Sequence, residues 1–278
     1  MRGDATLSHG KAPEKQERLF ASLSRLDSLL VAFSGGADSA YLAWSAHRVL
    51  RERALALTAL SPSFSAHDRE QAAAFVQTVG LRHEWIKTQE FANPLYVANG
   101  VERCYHCKNE LFRVLGQLAT ERGFAAIAYG MNADDTRDFR PGHRAAGEHN
   151  VLAPLLDAGL TKAEIRSLSR QAGLPTWDRP ASPCLSSRVP FGTPITPEVL
   201  AKIERGEAAL RGLGFPQVRL RYYGELARVE IPREELPGAF EAPMRERIVQ
   251  LLRRAGFARV IIDPNGYRQG SLNTAIME

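Results

Sequence analysis

The sequence predicts an α/β protein: a parallel sheet with helices on both faces, followed by a small C-terminal α/β module. Three observations predict it. Short apolar runs alternate with stretches of helical period. A glycine-bearing turn joins the first run to the first helical stretch. A Pro- and Ser-rich stretch without periodicity, 178–197, separates the alternating part from a last segment of roughly 80 residues, the size of a small domain.

Taken in order, Leu29 to Phe33 (LLVAF) is continuously apolar, as a buried parallel strand should be. Helical spacing follows over Ser39 to Leu50. ALALTAL (Ala54 to Leu60) reads as a second strand, Ala66 to Val79 as a helix and Glu84 to Ile86 as a short third strand. From Lys108 to Arg122 the spacing sets Leu111, Phe112, Leu115 and Leu118 on one helical face. Ala125 to Tyr129 is another strand candidate. Thr161 to Ala172 is a helix opened by a capping box, Thr161 with Glu164, and stopped by Gly173. Beyond the junction come a helix (Thr196 to Leu213), strands Val218 to Tyr223 and Ala227 to Ile231, a helix (Ala242 to Arg254) and a strand (Arg259 to Ile262). The expected division is a flexible tail over 1–16, rich in Gly, Pro, Ser and Lys, a main domain over 17–190 and a module over 191–278. Ligands of such sheets bind outside the carboxyl ends of the strands, and the chemistry-bearing motifs are expected in the loops there or after Pro175.

Composition excludes several classes. Among 278 residues, 44% are hydrophobic and 24% charged, which is ordinary globular usage and not that of collagen, a coiled coil or a disordered chain. No apolar run approaches the roughly 18 residues of a membrane span, and the N-terminus has no secretory h-region. A cytoplasmic protein with no membrane partner is expected. The 36 basic and 31 acidic residues leave a net charge of +5, which suits a phosphate-bearing ligand. Without a long Lys/Arg run, nucleic acid is not the expected partner. The three cysteines, Cys104, Cys107 and Cys184, are too few and odd in number for a disulfide scaffold.

The hexapeptide Ser34-Gly35-Gly36-Ala37-Asp38-Ser39 sits between a strand and a helix. Its glycines let backbone approach a ligand, and the helix that follows offers free N–H groups to an anion. Asp38 would repel a phosphate unless a Mg²⁺ or a turn of backbone intervenes. The loop has neither the lysine of a P-loop nor a GxGxxG.

SGGADS in this setting resembles the pyrophosphate loop of the PP-loop ATP pyrophosphatase superfamily. Those enzymes bind ATP, adenylate a carbonyl or carboxylate oxygen and release pyrophosphate. Four further motifs narrow the resemblance. They are Cys104-Tyr105-His106-Cys107-Lys108, Tyr129-Gly130-Met131-Asn132-Ala133-Asp134-Asp135 with Arg140-Pro141-Gly142, Pro183-Cys184-Leu185-Ser186-Ser187-Arg188, and Gly266-Tyr267-Arg268-Gln269-Gly270-Ser271-Leu272-Asn273. Together they are similar to the LarE family, the ATP-dependent sulfur transferases that help to build the nickel-pincer nucleotide cofactor of lactate racemase. The similarity runs from about Leu19 to Asn273 and implies a PP-loop (adenine nucleotide alpha hydrolase-like) first domain. It implies ATP contacts at Ala32, Phe33, Ser34, Gly35, Gly36, Ser39, Leu60, Gly130, Asp134 and Arg140, with Asp38 and Cys184 catalytic. It also implies contacts of Arg188, Arg219 and Arg221 with the phosphate of the substrate, pyridinium-3,5-biscarboxylic acid mononucleotide, and a homo-oligomer, trimer or hexamer.

Residue chemistry leaves alternatives open. Cys184 lies in a Pro-bounded loop, with Arg179 and Arg188 near it in sequence; cations lower a thiol's pKa, and a thiolate attacking an acyl-adenylate gives a thioester and AMP. In the sacrificial members of the family the matching cysteine surrenders its sulfur and becomes dehydroalanine. Alternatively, Cys104, Cys107 and Cys184 hold a [4Fe–4S] cluster whose open iron carries a sulfide. Zinc, or an incidental CxxC, is the third possibility. Asp134 and Asp135 are Mg²⁺ ligands or ATP contacts, or else a helix cap. Arg219 and Arg221 alternate with apolar residues and face one side of a strand, with Glu207 and Glu230 as candidate metal ligands nearby. Three rival functions compete: a tRNA thiouridine synthetase, an ammonia-dependent amidating ligase and a nucleotide sensor.

Overall fold

The computed structural model describes residues 11–137 and 141–268. The chain forms two compact units. Of the described residues, one comprises those through Ser61, then Asp68–Glu90 and those of Cys104–Ser182; the other comprises Pro62–His67, Phe91–Arg103 and those from Pro183 to Arg268.

In the first unit, helix α1 (Ala12–Ser24) precedes β1 (Leu29–Ala32), α2 (Ala37–Leu50), β2 (Ala54–Leu60), α3 (Ala66–Val79, from Asp68 onward) and β3 (His83–Lys87). A four-residue helix of the second unit, α4 (Pro94–Val97), intervenes. Then come α5 (Arg103–Arg122), β4 (Ala126–Tyr129), α6 (Pro141–Glu148), α7 (Pro154–Asp157) and α8 (Lys162–Gln171). All four strands are parallel, in the order β3-β2-β1-β4. The chain reverses direction across the sheet between β1 and β4, and that switch point is where open α/β sheets open a ligand crevice. Pleating divides the strand side chains. Leu30, Ala32, Leu55, Leu57 and Ile127 pack with Phe112, Leu115 and Ala119 of α5 and with Ala145 and Ala146 of α6. The sheet's other face is covered by α2, which α1 and α8 brace in turn. The predicted parallel sheet with flanking helices is what the structure shows.

Two expectations need correction. The tail of 1–16 is too long, because α1 begins at Ala12. Lys15 is buried there, with its ammonium 2.8 Å from both carboxylate oxygens of Glu164. That same Glu164 closes the capping box on Thr161, so one carboxylate ties two helices together. The division at 190/191 moves to Ser182/Pro183. The reason is local: Leu185 N–H donates to Ser63 O at 2.9 Å, and the Asn99 amide donates to the carbonyls of Pro190 and Thr193. These bonds gather 62–67 and 91–103 with the Cys184 segment.

The second unit continues with α9 (Pro197–Gly212), β5 (Arg219–Tyr223), β6 (Leu226–Glu230), α10 (Leu236–Phe240), α11 (Ala242–Arg254) and β7 (Arg259–Ile262). β5 and β6 are antiparallel and β7 runs parallel to β6. α9 crosses the sheet at Gly206, where a Cβ would fall 2.2 Å from Leu220 Cδ2 and 3.1 Å from Leu252 Cδ2, both on fully buried side chains. Gly206→Val is therefore expected to cost about 2–3 kcal/mol through overpacking, read as a lower urea midpoint with the denaturant slope unchanged.

Candidate active site

The Ser34–Ser39 turn forms as its composition dictates. β1 ends at Ala32, and Phe33 adds one more bond to β2 through Leu57 O. Gly35 then takes φ +74°, a left-handed conformation that costs a glycine nothing. Gly36 is the N-cap of α2, so the turn feeds directly into a helix N-terminus. The two serines hold the turn closed. Ser39 Oγ donates to Gly36 O at 3.1 Å, accepts from Ser34 N–H at 3.2 Å and lies 3.0 Å from Ser34 Oγ. Behind the turn, the Thr58 hydroxyl donates to Phe33 O at 2.7 Å, and His83 Nε2 lies 2.9 Å from that hydroxyl. Burial lowers the His83 pKa against the opposing pull of Glu84, and so favours the neutral ring.

β4 delivers Gly130 against this helix N-terminus. A Cβ on Gly130 would stand 2.8 Å from Ser39 N and 2.9 Å from Ser39 Cα. Ala32, Phe33, Gly130 and Leu60 all lie at the carboxyl ends of β1, β4 and β2, with Phe33 fully buried and Leu60 half-buried. Arg140 lies outside the described residues, as do the last five positions of the Gly266–Asn273 motif.

Asp38, in the first turn of α2, accepts from the Asn132 amide through Oδ2 at 3.2 Å, while its Oδ1 is buried with no partner. Burial raises the carboxyl's pKa. Lys162 and Arg166 oppose that rise, and Asp135 adds to it. A buried, unpartnered carboxylate oxygen beside a second carboxylate is the donor chemistry that a hard divalent cation takes, so these residues fit Mg²⁺. Asp134 does something plainer: its Oδ2 accepts from Lys162 N–H at 2.8 Å, capping α8, while its own N–H donates to Asn132 Oδ1. Asn132 thus links the Asp134–Asp135 turn to Asp38, a role with no separate signal in the sequence.

The raised Asp38 pKa has a stability consequence. A carboxyl raised by folding contributes stability that is complete below its ordinary value of 3.8 and is lost as pH climbs through the raised value. Asp38→Asn is accordingly expected to raise the thermal midpoint of the ligand-free protein by a few degrees at pH 7. Scanning calorimetry should show that gain shrinking toward pH 3.8.

Cys104 and Cys107 depart from expectation. They stand in the first turns of α5, not in a loop. Nothing between Arg103 and Lys108 breaks a helix, and Arg103 N–H donates to Gly100 O to start one. At i, i+3 both thiols share a helix face, with Cys104 exposed and Cys107 partly so. α6 packs on this turn: a Cβ at Gly142 would meet Lys108 Cγ at 2.9 Å.

Cys184 belongs to the second unit and is exposed. It opens a short 3-10 turn, Leu185–Arg188. Arg188 was expected at a substrate phosphate, but its side chain runs inward and is 2% exposed. It donates to both oxygens of the fully buried Glu207 at 2.9 and 3.2 Å, to Cys184 O at 3.1 Å and to Pro183 O. Glu207 also accepts from Arg211 at 2.9 Å and from Leu220 N–H at 3.1 Å. Burial raises its carboxyl, but the fields of Arg188, Arg219 and Arg211 outweigh this and hold it below the ordinary range. Glu230 pairs with Arg221 at 2.8 Å, and Arg221 also donates to Ser187 O at 2.8 Å. The carboxylates expected at a metal are therefore ion-paired with arginine, and the pairs anchor the Cys184 turn to α9 and β5. Arg219 is buried over the Tyr267 ring at 5.5 Å. Among the described residues, no group of three or more His, Cys, Asp or Glu side chains gathers around a common metal position.

No protein-family profile matches the chain. Individual relatives do. An uncharacterized protein of Synechocystis sp. is 43% identical over 262 residues, 94% of this chain and 98% of its own. The pyridinium-3,5-bisthiocarboxylic acid mononucleotide synthase of Lactiplantibacillus plantarum is 32% identical over 263 residues, 94% of this chain and 95% of its own. An uncharacterized protein of Methanocaldococcus jannaschii is 28% identical over 240 residues, 86% of this chain and 90% of its own.

Proposed function

The chain belongs to the LarE family, that of pyridinium-3,5-bisthiocarboxylic acid mononucleotide synthase, and from that premise we propose that it is an ATP-dependent sulfur transferase of nickel-pincer cofactor synthesis. The observation that carries the reading is that similarity to the synthase spans both units, the one with the glycine turn and the one with Cys184. The substrate is a carboxylate of pyridinium-3,5-biscarboxylic acid mononucleotide, and the product is a thiocarboxylate.

ATP lies with its phosphates at the Ser34–Ser39 turn and the α2 N-terminus, where backbone N–H groups and two hydroxyls meet oxyanions. Asp38, with Asp135, would hold Mg²⁺, which when bound neutralises phosphate charge. A substrate carboxylate oxygen attacks the α-phosphorus and pyrophosphate leaves, giving an acyl-adenylate. Arg219 binds the substrate's own phosphate, while Arg221, committed to Glu230 and Ser187 O, supports it from the same strand face. Sulfur then displaces AMP at the acyl carbon, and Cys184 is the residue through which it arrives. As donor, its thiolate forms a thioester, and loss of the Cα proton with cleavage of the Cβ–S bond releases the thiocarboxylate and leaves dehydroalanine. A second reading follows from the paired thiols on α5: Cys104, Cys107 and Cys184 are a thiolate set suited to a [4Fe–4S] cluster, which would supply sulfide.

Anaerobic purification with iron and sulfide analysis, followed by intact mass after one turnover, tests both. A fall of about 34 Da, one H₂S, with no iron supports the donor route. Iron with an unchanged mass and continued turnover supports the cluster. Turnover with neither, or transfer of ammonia in place of sulfur, overturns the proposal.

A further inference from the structure

We propose that Arg179 is a positioning residue for the ATP loop, holding the Gly35–Gly36 peptide so that its N–H stays aimed at the nucleotide phosphates. The inference rests on the reading that ATP occupies the Ser34–Ser39 turn, and it names the group outside that turn on which ATP affinity depends.

Three observations within the first unit carry it. Arg179 Nη1 donates to Gly35 O at 2.7 Å. Peptide planarity sets a carbonyl and the following N–H in opposite directions. Fixing Gly35 O on the Arg179 side therefore fixes the Gly36 N–H on the other, the side of Ser34 Oγ, which it meets only at 3.5 Å. That long contact leaves the N–H available to a better acceptor.

The guanidinium is itself held. Its Nη2 pairs with Asp68 Oδ1 of α3 at 3.1 Å, and both side chains are nearly buried, at 13% and 11% exposure. The backbone of the segment is clamped too. Arg166 of α8 donates to Arg179 O at 2.5 Å and to Trp177 O at 3.0 Å, and Arg170 lies 5.0 Å from the centroid of the Trp177 ring.

The loop has little slack on this side. A Cβ at Gly35 would meet Ala72 Cβ at 3.1 Å and Arg179 Nη1 at 3.4 Å. The turn is thus seated between α3 and Arg179. A glycine pair is otherwise free to flip its shared peptide, and a flipped peptide presents a carbonyl to the triphosphate where an N–H is required. Arg179 is suited to prevent this because its planar fork serves a carbonyl and a carboxylate from two separate nitrogens, a fixed geometry that lysine's single rotatable ammonium does not impose.

The test is a steady-state pyrophosphate-release assay on the full chain with Mg·ATP and the pyridinium nucleotide. Arg179→Lys should raise the KM for ATP about tenfold or more. It should leave the KM for the pyridinium nucleotide and kcat at saturating ATP within about threefold, with the thermal midpoint near that of the parent. Asp68→Asn, which frees the guanidinium while keeping its charge, should move the ATP KM in the same direction by a smaller factor. An unchanged ATP KM in a folded Arg179→Lys protein overturns the inference. So does a common fall of every kinetic parameter together with the thermal midpoint, which marks a merely structural role. Ser39→Ala in the same titration separates the two claims. If it raises the ATP KM while Arg179→Lys does not, the inference alone fails. If neither variant moves it, the loop is not the nucleotide site and both fail.

Discussion

Cys184→Ala is expected to abolish thiocarboxylate formation, by at least about a thousandfold, while pyrophosphate and acyl-adenylate still form. The split follows from where the residue stands. Its thiol is exposed, and the bonds that hold its turn come from Arg188 and Ser187 through its backbone carbonyl, so deleting the sulfur disturbs no described packing. On the proposed reading, adenylation uses the glycine turn and Asp38, which belong to the other unit. The variant should accordingly fold with a thermal midpoint close to the parent's. Mass spectrometry of the product and a coupled pyrophosphate assay read the two half-reactions separately. Cys104→Ala and Cys107→Ala then divide the sulfur routes: transfer survives both if Cys184 is the donor and fails in both if three thiolates hold a cluster. Unimpaired sulfur transfer by Cys184→Ala contradicts either route, and an unimpaired variant whose product carries nitrogen in place of sulfur would favour amidation.

Gly130→Ala carries the largest expected structural cost at the site, about 3 kcal/mol, together with loss of ATP-dependent pyrophosphate release. The atoms its Cβ would meet are backbone: Ser39 N at 2.8 Å, Ser39 Cα at 2.9 Å and Asp38 C at 3.1 Å. No rotamer change relieves that overlap, so the end of β4 and the N-terminus of α2 must separate. The turn that α2 anchors then loses its register with Asn132. Gly147→Ala is the control. It lies in α6 with no atom within 4 Å of its Cβ position, and it is expected to be neutral or slightly stabilising. Urea denaturation of both variants checks the pair.

Much of the fold was legible because local and global preferences agree. β2, α3, α11 and β7 begin and end where apolar runs, helical periods and turn residues place them. The capping box at Thr161 was visible for the same reason, since both its partners lie within one turn. Failures came where a tertiary partner decides. A Gly-, Pro- and Lys-rich start hides α1, which is braced by Lys15 reaching Glu164 across 149 residues. The CxxC precedes the apolar face of α5, which opens only at Leu111, so no hydrophobic period marks its turn as helical.

At the site, the turn itself was evident, but its supports were not. Arg179 and Gly35 are 144 residues apart, and no local pattern announces their bond. Glu207 reads in sequence like any helical glutamate. Only the fold shows it fully buried and joined to Arg188, so the metal expected there has arginines in its place.

The proposal's centre is that a substrate carboxylate oxygen takes AMP and that sulfur then releases it. Oxygen-18 in the substrate carboxylates tests this directly, by mass spectrometry of the nucleotide products after one turnover. AMP carrying a single heavy oxygen, with unlabelled pyrophosphate, is the predicted result. Unlabelled AMP, or label appearing in pyrophosphate or inorganic phosphate, would contradict it.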